Sequence, residues 1–133
     1  MAGVPVTWIT AIDPGARAGW ALFFGRDLTA GGPGDPDELV GEVVIECPRV
    51  YPHGKVDPND LIVLARRVGR IEERAGRPCT LVFPRAWKGT VKKPIMTARI
   101  LSRMTTAERG LLMKIDHNVI DAIGLGLWKV GRL

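Results

Sequence analysis

The sequence is poor in cysteine, has no long apolar run, and carries almost no acid in its last third. Only Cys47 and Cys79 are present. Two cysteines match no metal-ligand spacing and are too few for a disulfide framework, so a reducing, cytoplasmic setting is expected. No stretch approaches the roughly 20 apolar residues of a membrane helix, which excludes a spanning segment of that kind. The opening MAGVPVTWIT has neither a basic leader nor a small-residue cleavage site, so a secretory signal is not expected. There are no internal repeats and no low-complexity tracts. Residues 84–133 hold only 3 acidic side chains against 10 basic ones, a net of +7, whereas residues 1–83 hold 11 against 9, a net of −2. A basic surface confined to one part of the chain suits a polyanion such as nucleic acid, and it also suits a merely solvated face.

What is present is ordinary for a globular protein. A chain of 133 residues, 46% hydrophobic and 25% charged, can bury a core as one domain spanning 1–133. VTWITAID and GWALFFG are short apolar runs bounded by Pro and Gly, and they read as a hairpin. The Gly- and Pro-rich LTAGGPGDPDEL holds a turn after a brief third strand at 28–30. Another strand covers 42–47 and stops at Pro48. Asp57-Pro58-Asn59-Asp60 gives a capped helix start after the loop YPHGKV, which contains His53.

The clearest helix covers 61–73 and ends at Gly76. Leu61, Leu64, Ala65, Val68 and Ile71 recur at helical spacing, and Arg66, Arg67, Arg70 and Glu73 take other faces. CTLVFP is the next strand, closed by Pro84, and WKGTVKK follows as a basic loop. IMTARILSRM reads as a helix and TTAERGLLMK as another short one. The last helix is DHNVIDAIGLGLWKV, with Ile120, Ile123, Leu127 and Val130 as its buried stripe and Gly124 and Gly126 signalling close packing. Trp8, Trp20, Trp128, Met96, Met104 and Met113 read as packing residues. Trp87 reads as an anchor of the basic loop, with stacking on a base as the alternative. Strands early and helices late predict a mixed α/β layer fold.

Three acids break this apolar pattern. Asp13 ends the first strand, Glu46 sits near the end of VVIEC, and Asp121 lies between Ile120 and Ala122 one turn into the last helix. A lone carboxylate at any of these places is costly unless it is satisfied. Carboxylates that converge repel one another unless a cation lies between them, and oxygen ligands on rigid elements suit Mg²⁺ or Mn²⁺.

These residues carry a family resemblance. IDPGARAGWAL resembles the first-strand signature of the RuvC-type Holliday-junction resolvases, which have the RNase H-like fold. VVIECPRVY resembles the family's second acidic strand, and HNVIDAIGLGLW resembles its closing helix. The similarity runs from Ile9 to Trp128, with the motifs in the family's order. It implies an α/β RNase H-like fold with a mixed sheet flanked by helices, and a crossover-junction endodeoxyribonuclease cutting four-way DNA junctions as a two-fold homodimer. It also implies two divalent ions per site, held by Asp13, Glu46 and Asp121, acting in phosphodiester hydrolysis. Lys88, Lys92 and Lys93 would then contact phosphates near the cut, with Lys55, Arg66 and Arg70 as further DNA contacts. The helix at 61–73 is expected to face either DNA or the second subunit.

Two departures accompany the resemblance. GRDLTAGGPGDPDELVGE leaves little room for the helix that relatives place before the second acidic strand, which points to a compact, phage-like variant. Asn118 stands three residues before Asp121, where many relatives have Asp or His. On a helix His117 lies about 40° from Asp121, Asn118 about 60° and Asp116 about 140°. His117 is therefore the expected fourth ligand, Asp116 a helix cap or weaker ligand, and Asn118 a weaker ligand. An imidazole in the set would make Mn²⁺ at least as effective as Mg²⁺. The alternatives are a RuvX/YqgF-like RNA nuclease and a non-catalytic protein that binds branched DNA. An actin-like kinase is excluded, because such folds need two lobes and a second phosphate loop.

Overall fold

A computed structural model describes residues 7–15, 18–47, 57–111 and 117–133, with backbone alone at 117 and 118. Five strands form one sheet in the order β3-β2-β1-β4-β5. β1 (Trp8–Asp13) and β2 (Gly19–Phe24) make the expected hairpin, in antiparallel register from Trp8↔Phe24 to Asp13↔Gly19. β3 (Asp27–Pro33) continues the meander. It is longer than the three residues expected, because Gly31 and Gly32 pair with Ala21 and Trp20, and ladder formation overrides their turn preference. β4 (Glu42–Glu46) then lies parallel to β1, and β5 (Thr80–Val82) parallel to β4. Residues 34–41 join β3 to β4 without a helix, as the short connection predicts.

The parallel pair β4–β5 requires a long crossover, supplied by α1 (Pro58–Ala75). Its ends follow the sequence signals. The Asp57 carboxylate accepts from the Asn59 backbone N–H at 2.8 Å, and Gly76 takes the left-handed conformation that closes the last turn. α2 (Pro84–Lys88) occupies part of what the sequence suggested was a basic loop. Pro84 pre-sets the first turn after an extended Phe83, so Trp87 and Lys88 are helical and the loop shrinks to 89–92. α3 (Lys93–Arg103) starts two residues earlier than expected, with Pro94 in its first turn. α4 (Thr106–Gly110) is fixed by a capping box between Thr105 and Glu108, and α5 (His117–Lys129) closes the fold. Among the described residues no helix is long and apolar enough to cross a membrane.

Strand alternation sorts the core into two layers. Ile9, Ala11, Ala21, Phe23, Val44 and Val82 face one side, where they pack with Val119, Ala122, Ile123 and Leu127 of α5 and with Met96 and Ile100 of α3. Ile12, Val43 and Ile45 face the other side and meet Val68 and Ile71 of α1. Helix α5 runs so close to β2 that a Cβ on Gly126 would overlap the Phe23 ring. That is the close packing its glycines signalled.

Three expectations about packing are corrected. Trp8 is exposed rather than core; it starts β1 opposite Phe24, and the two rings pair at 4.5 Å on the surface. Ala65 is exposed, since the buried stripe of α1 reduces to Val68 and Ile71. Arg67 does not point away from the body: it flanks that stripe and donates to the Gly15 carbonyl at 2.7 Å. Trp20 and Trp128 are partly buried against the two layers, and Met96 and Met104 are buried. Met113 and His53 lie outside the described residues.

Candidate active site

Asp13 and Glu46 are the last residues of β1 and β4. The parallel register pairs Ile12 with Ile45, so the two acids follow it on neighbouring strands at the same edge of the sheet. Asp13 has the parity of Ile9 and Ala11, and Glu46 that of Val44. Both carboxylates therefore leave the strands on the α5 side. Asp121 comes from the first turns of α5 on that side. Three elements thus carry one acid each to a single sheet edge.

A cation of the protein's own joins two of them. The Lys88 ammonium lies 3.3 Å from Glu46 Oε2 and 3.4 Å from Asp121 Oδ2. It also sits 4.9 Å from the centre of the Trp87 ring. The Trp87 indole Nε1–H donates to Glu46 Oε2 at 2.8 Å. Asp13 lies deeper and accepts one backbone N–H, from Gly15 at 3.2 Å. Burial, reinforced by the charges of Glu46 and Asp121, pushes the Asp13 carboxyl up from 3.8 to about 7; the Gly15 N–H and Lys88 oppose this only in part. Lys88 loses solvation by burial, yet Glu46 and Asp121 outweigh that loss and raise its pKa above the ordinary lysine value. The site holds more negative charge than one ammonium offsets.

Whether these residues fit a divalent cation turns on donor type, charge and spacing. The donors are carboxylate oxygens on rigid elements, and the shifted Asp13 marks a place where a positive charge would be stabilised. Among the described residues no group of three His, Cys, Asp or Glu side chains is drawn tight enough to hold a metal as it stands. The Lys88 ammonium contacts both Glu46 and Asp121. Donor set and charge fit a divalent ion, and the lysine occupies the middle of the cluster.

Of the other residues singled out from sequence, Lys92 and Lys93 are exposed where the 89–92 loop meets α3. Arg66 and Arg70 line a groove of about 320 Å³ on α1 together with Val63 and Arg67. Arg67 also lines an adjoining hollow with Gly15, just beyond Asp13 in the chain. Lys55 and Asp116 lie outside the described residues, as do the side chains of His117 and Asn118, so the fourth-ligand expectation has no geometry beside it. Two features escaped the sequence reading. The contact of Lys88 with the acids themselves depends on a short helix hidden in a Pro- and Gly-flanked segment. The Trp87–Glu46 hydrogen bond spans 41 residues and leaves no local pattern.

No protein-family model and no curated protein sequence matches the chain. Solved structures do. A structure of Thermus thermophilus RuvC superposes with a TM-score of 0.56 at 15% identity, covering 90% of this chain and 91% of that one. The structure of T. thermophilus RuvC in complex with a Holliday junction substrate gives 0.58 at 16% identity, covering 91% and 90%. The fold of this chain is therefore the RNase H-like fold of RuvC, as the three motifs implied.

Proposed function

We propose that this protein is a structure-selective DNA endonuclease that cuts four-way junctions by metal-dependent phosphodiester hydrolysis, the whole chain acting as one nuclease domain inside the cell. The observation that carries the reading is the convergence of Asp13, Glu46 and Asp121, from two strands and a helix, at the edge of a RuvC-like sheet. Bound Mg²⁺ or Mn²⁺ ions would supply activation of the attacking water and neutralisation of phosphate charge. Asp13, most buried of the three and repelled by the other two, would contribute to holding both ions. Glu46 and Asp121 would hold one ion each, and His117 would complete the set.

Lys88 takes a second role in this reading. With Glu46 and Asp121 holding metal, the Lys88 ammonium would be free to contact a phosphate at the rim. Lys92 and Lys93 on the adjoining segment, and Lys55, would add backbone contacts. Arg66, Arg67 and Arg70 line a groove on α1, and the hollow that adjoins it reaches Gly15; these arginines would contact a second arm. Two symmetric cuts require two sites, so a homodimer is expected to form on the junction.

The test is incubation with labelled four-way junction, linear duplex and RNA, with and without Mg²⁺ or Mn²⁺. Paired metal-dependent cuts in the junction alone support the reading. Preferential RNA cleavage would favour a RuvX/YqgF-like nuclease, and tight junction binding without cleavage would make the protein a binding module. Replacing Lys92 and Lys93 with Ala should flatten the dependence of log affinity on log salt by roughly one unit per lost phosphate contact. An unchanged slope would remove both lysines from the interface.

A further inference from the structure

Trp87 is buried, while its neighbour Lys88 remains partly exposed. The indole reaches two of the three acid-bearing elements at once. Its Nε1–H donates to Glu46 Oε2 at 2.8 Å on β4. The far edge of its ring rests on α5 at Gly124, where an added Cβ would come within 2.6 Å of it. Gly124 lies one helical turn beyond Asp121. The ring is held in turn by α2, which follows directly from β5, the strand paired with β4 through Glu46↔Val82.

The two contacts on Glu46 Oε2 differ in kind. Lysine offers a mobile ammonium on a four-carbon stem, which a divalent ion can displace. The indole offers one donor on a rigid, packed ring with a fixed direction, and it has nowhere else to turn. From this geometry we infer that Trp87 is the positioning residue of the acid cluster: its N–H fixes the Glu46 carboxylate in the orientation that receives a divalent cation, and its ring sets the distance from Glu46 to the α5 turn carrying Asp121. The inference rests on the proposed metal-dependent reading of the site. Trp87 touches neither substrate nor reacting atoms; it acts through Glu46. A hydrogen bond from outside the ligand set, holding a ligating carboxylate, typically changes metal affinity 10–100-fold.

The deciding variant replaces Trp87 by benzothienylalanine, which keeps the bicyclic shape and puts sulfur where the N–H was; Trp87→Phe accompanies it. Mn²⁺ affinity is measured by calorimetry on the DNA-free protein. The expected result is a 10–100-fold weaker Mn²⁺ affinity with the isostere, thermal unfolding within a few degrees of wild type, and a fall in kcat with KM for the junction unchanged. Excess Mn²⁺ should restore turnover, which a misfolded variant would not show. Unchanged Mn²⁺ affinity in the isostere overturns the inference. A metal-free readout stands beside it. The Trp87 indole proton should move upfield and exchange faster in Glu46→Ala, and no change there also overturns the inference. If wild-type protein binds no Mn²⁺, or if Asp13→Asn binds it equally well, the metal reading of the site fails instead, and the indole resonance alone decides the role of Trp87.

Discussion

Asp13 and Glu108 are the two carboxylates buried among the described residues, at 8% and 5% exposure, and their surroundings are opposite. Glu108 is saturated. Its oxygens accept from both guanidinium nitrogens of Arg132 at 2.7 and 2.8 Å, from the Leu28 backbone N–H at 2.7 Å, and from the Thr105 N–H at 2.8 Å. The Arg132 hydrogen bond, ahead of the backbone donors, outweighs burial and lowers its carboxyl from 4.5 to about 2. Asp13 accepts one N–H and faces two further acids, and its carboxyl rises to about 7. The same side-chain chemistry ties α4 and the chain end to β3 in one place and leaves an unmet demand for positive charge in the other. Satisfaction, rather than burial, separates an acid held charged from one pushed toward its neutral form.

The largest expected contrast comes from removing each acid in turn. Asp13→Asn should lower junction cleavage by at least about 10³-fold, a loss of some 4 kcal/mol of transition-state stabilisation. It should also raise the melting temperature of the metal-free protein at pH 8, because a repelled charge disappears. Glu108→Ala should do the reverse. It leaves the Leu28 N–H and the Arg132 guanidinium without their acceptor, costing about 3 kcal/mol, or roughly 10 °C for a domain of this size. Its cleavage rate at low temperature should stay within a few-fold of wild type. Cleavage by Asp13→Asn, or a melting temperature untouched by Glu108→Ala, would erase the distinction.

The sequence carried one half of this contrast and hid the other. Asp13 and Glu46 stood out because each lies at the end of an apolar strand run, and Asp121 because it lies between Ile120 and Ala122 in an apolar helix. The hairpin, the caps at Asp57 and Gly76 and the close approach at Gly124 and Gly126 were legible for the same reason, since all are local. Glu108 was not. It sits in TTAERG, where a glutamate three residues after Thr105 looks like a surface cap. What buries it is Arg132, 24 residues on, and Leu28, 80 residues back. Lys88 likewise looked like a loop lysine, because nothing local reveals that a five-residue helix aims it at acids 42 residues earlier and 33 later. Long-range pairing between charged residues leaves no period in a sequence.

A second contrast is expected in the pH dependence of metal-free stability. Between pH 3.8 and about 7 the folded protein keeps a proton on Asp13 that the unfolded chain has released. Stability should therefore fall as pH rises through that window, by up to about 4 kcal/mol before local relaxation. Glu108 works in the other direction. Its contribution is fully present above pH 4.5 and is lost as pH falls toward 2, about 3 kcal/mol in all. Chelator-treated protein should thus be most stable near pH 4–5, as read by denaturant unfolding from pH 2 to 9. Asp13→Asn should flatten the alkaline limb alone, and Glu108→Ala the acid limb alone. A wild-type profile that keeps rising to pH 7 would contradict the charge balance at Asp13.

The smallest effect should come from Lys88, set against the other cation that meets a carboxylate, Arg132. Arg132 forms a two-pronged bond with Glu108 and also donates to the carbonyls of Arg26 and Arg103. Arg132→Met should cost about 3 kcal/mol, since it strands a buried carboxylate. Lys88 makes two longer contacts, at 3.3 and 3.4 Å, from a side chain 27% exposed to Glu46 and Asp121 at 15% and 16%. Such a pair is partly screened, so Lys88→Met should change metal-free stability at pH 8 by about 1 kcal/mol or less. The sharper signature is conditional. Saturating Mn²⁺ should abolish the Lys88→Met difference, because the ion takes over the role of the ammonium, and it should leave the Arg132→Met difference intact. Lys92→Met, which removes the same unit charge from the exposed loop, serves as the control and should show neither effect. Unfolding of the four proteins with and without Mn²⁺ measures all of this. If the Lys88 difference persists in Mn²⁺, the lysine is a structural partner of its acids as Arg132 is, and the two regions are alike after all.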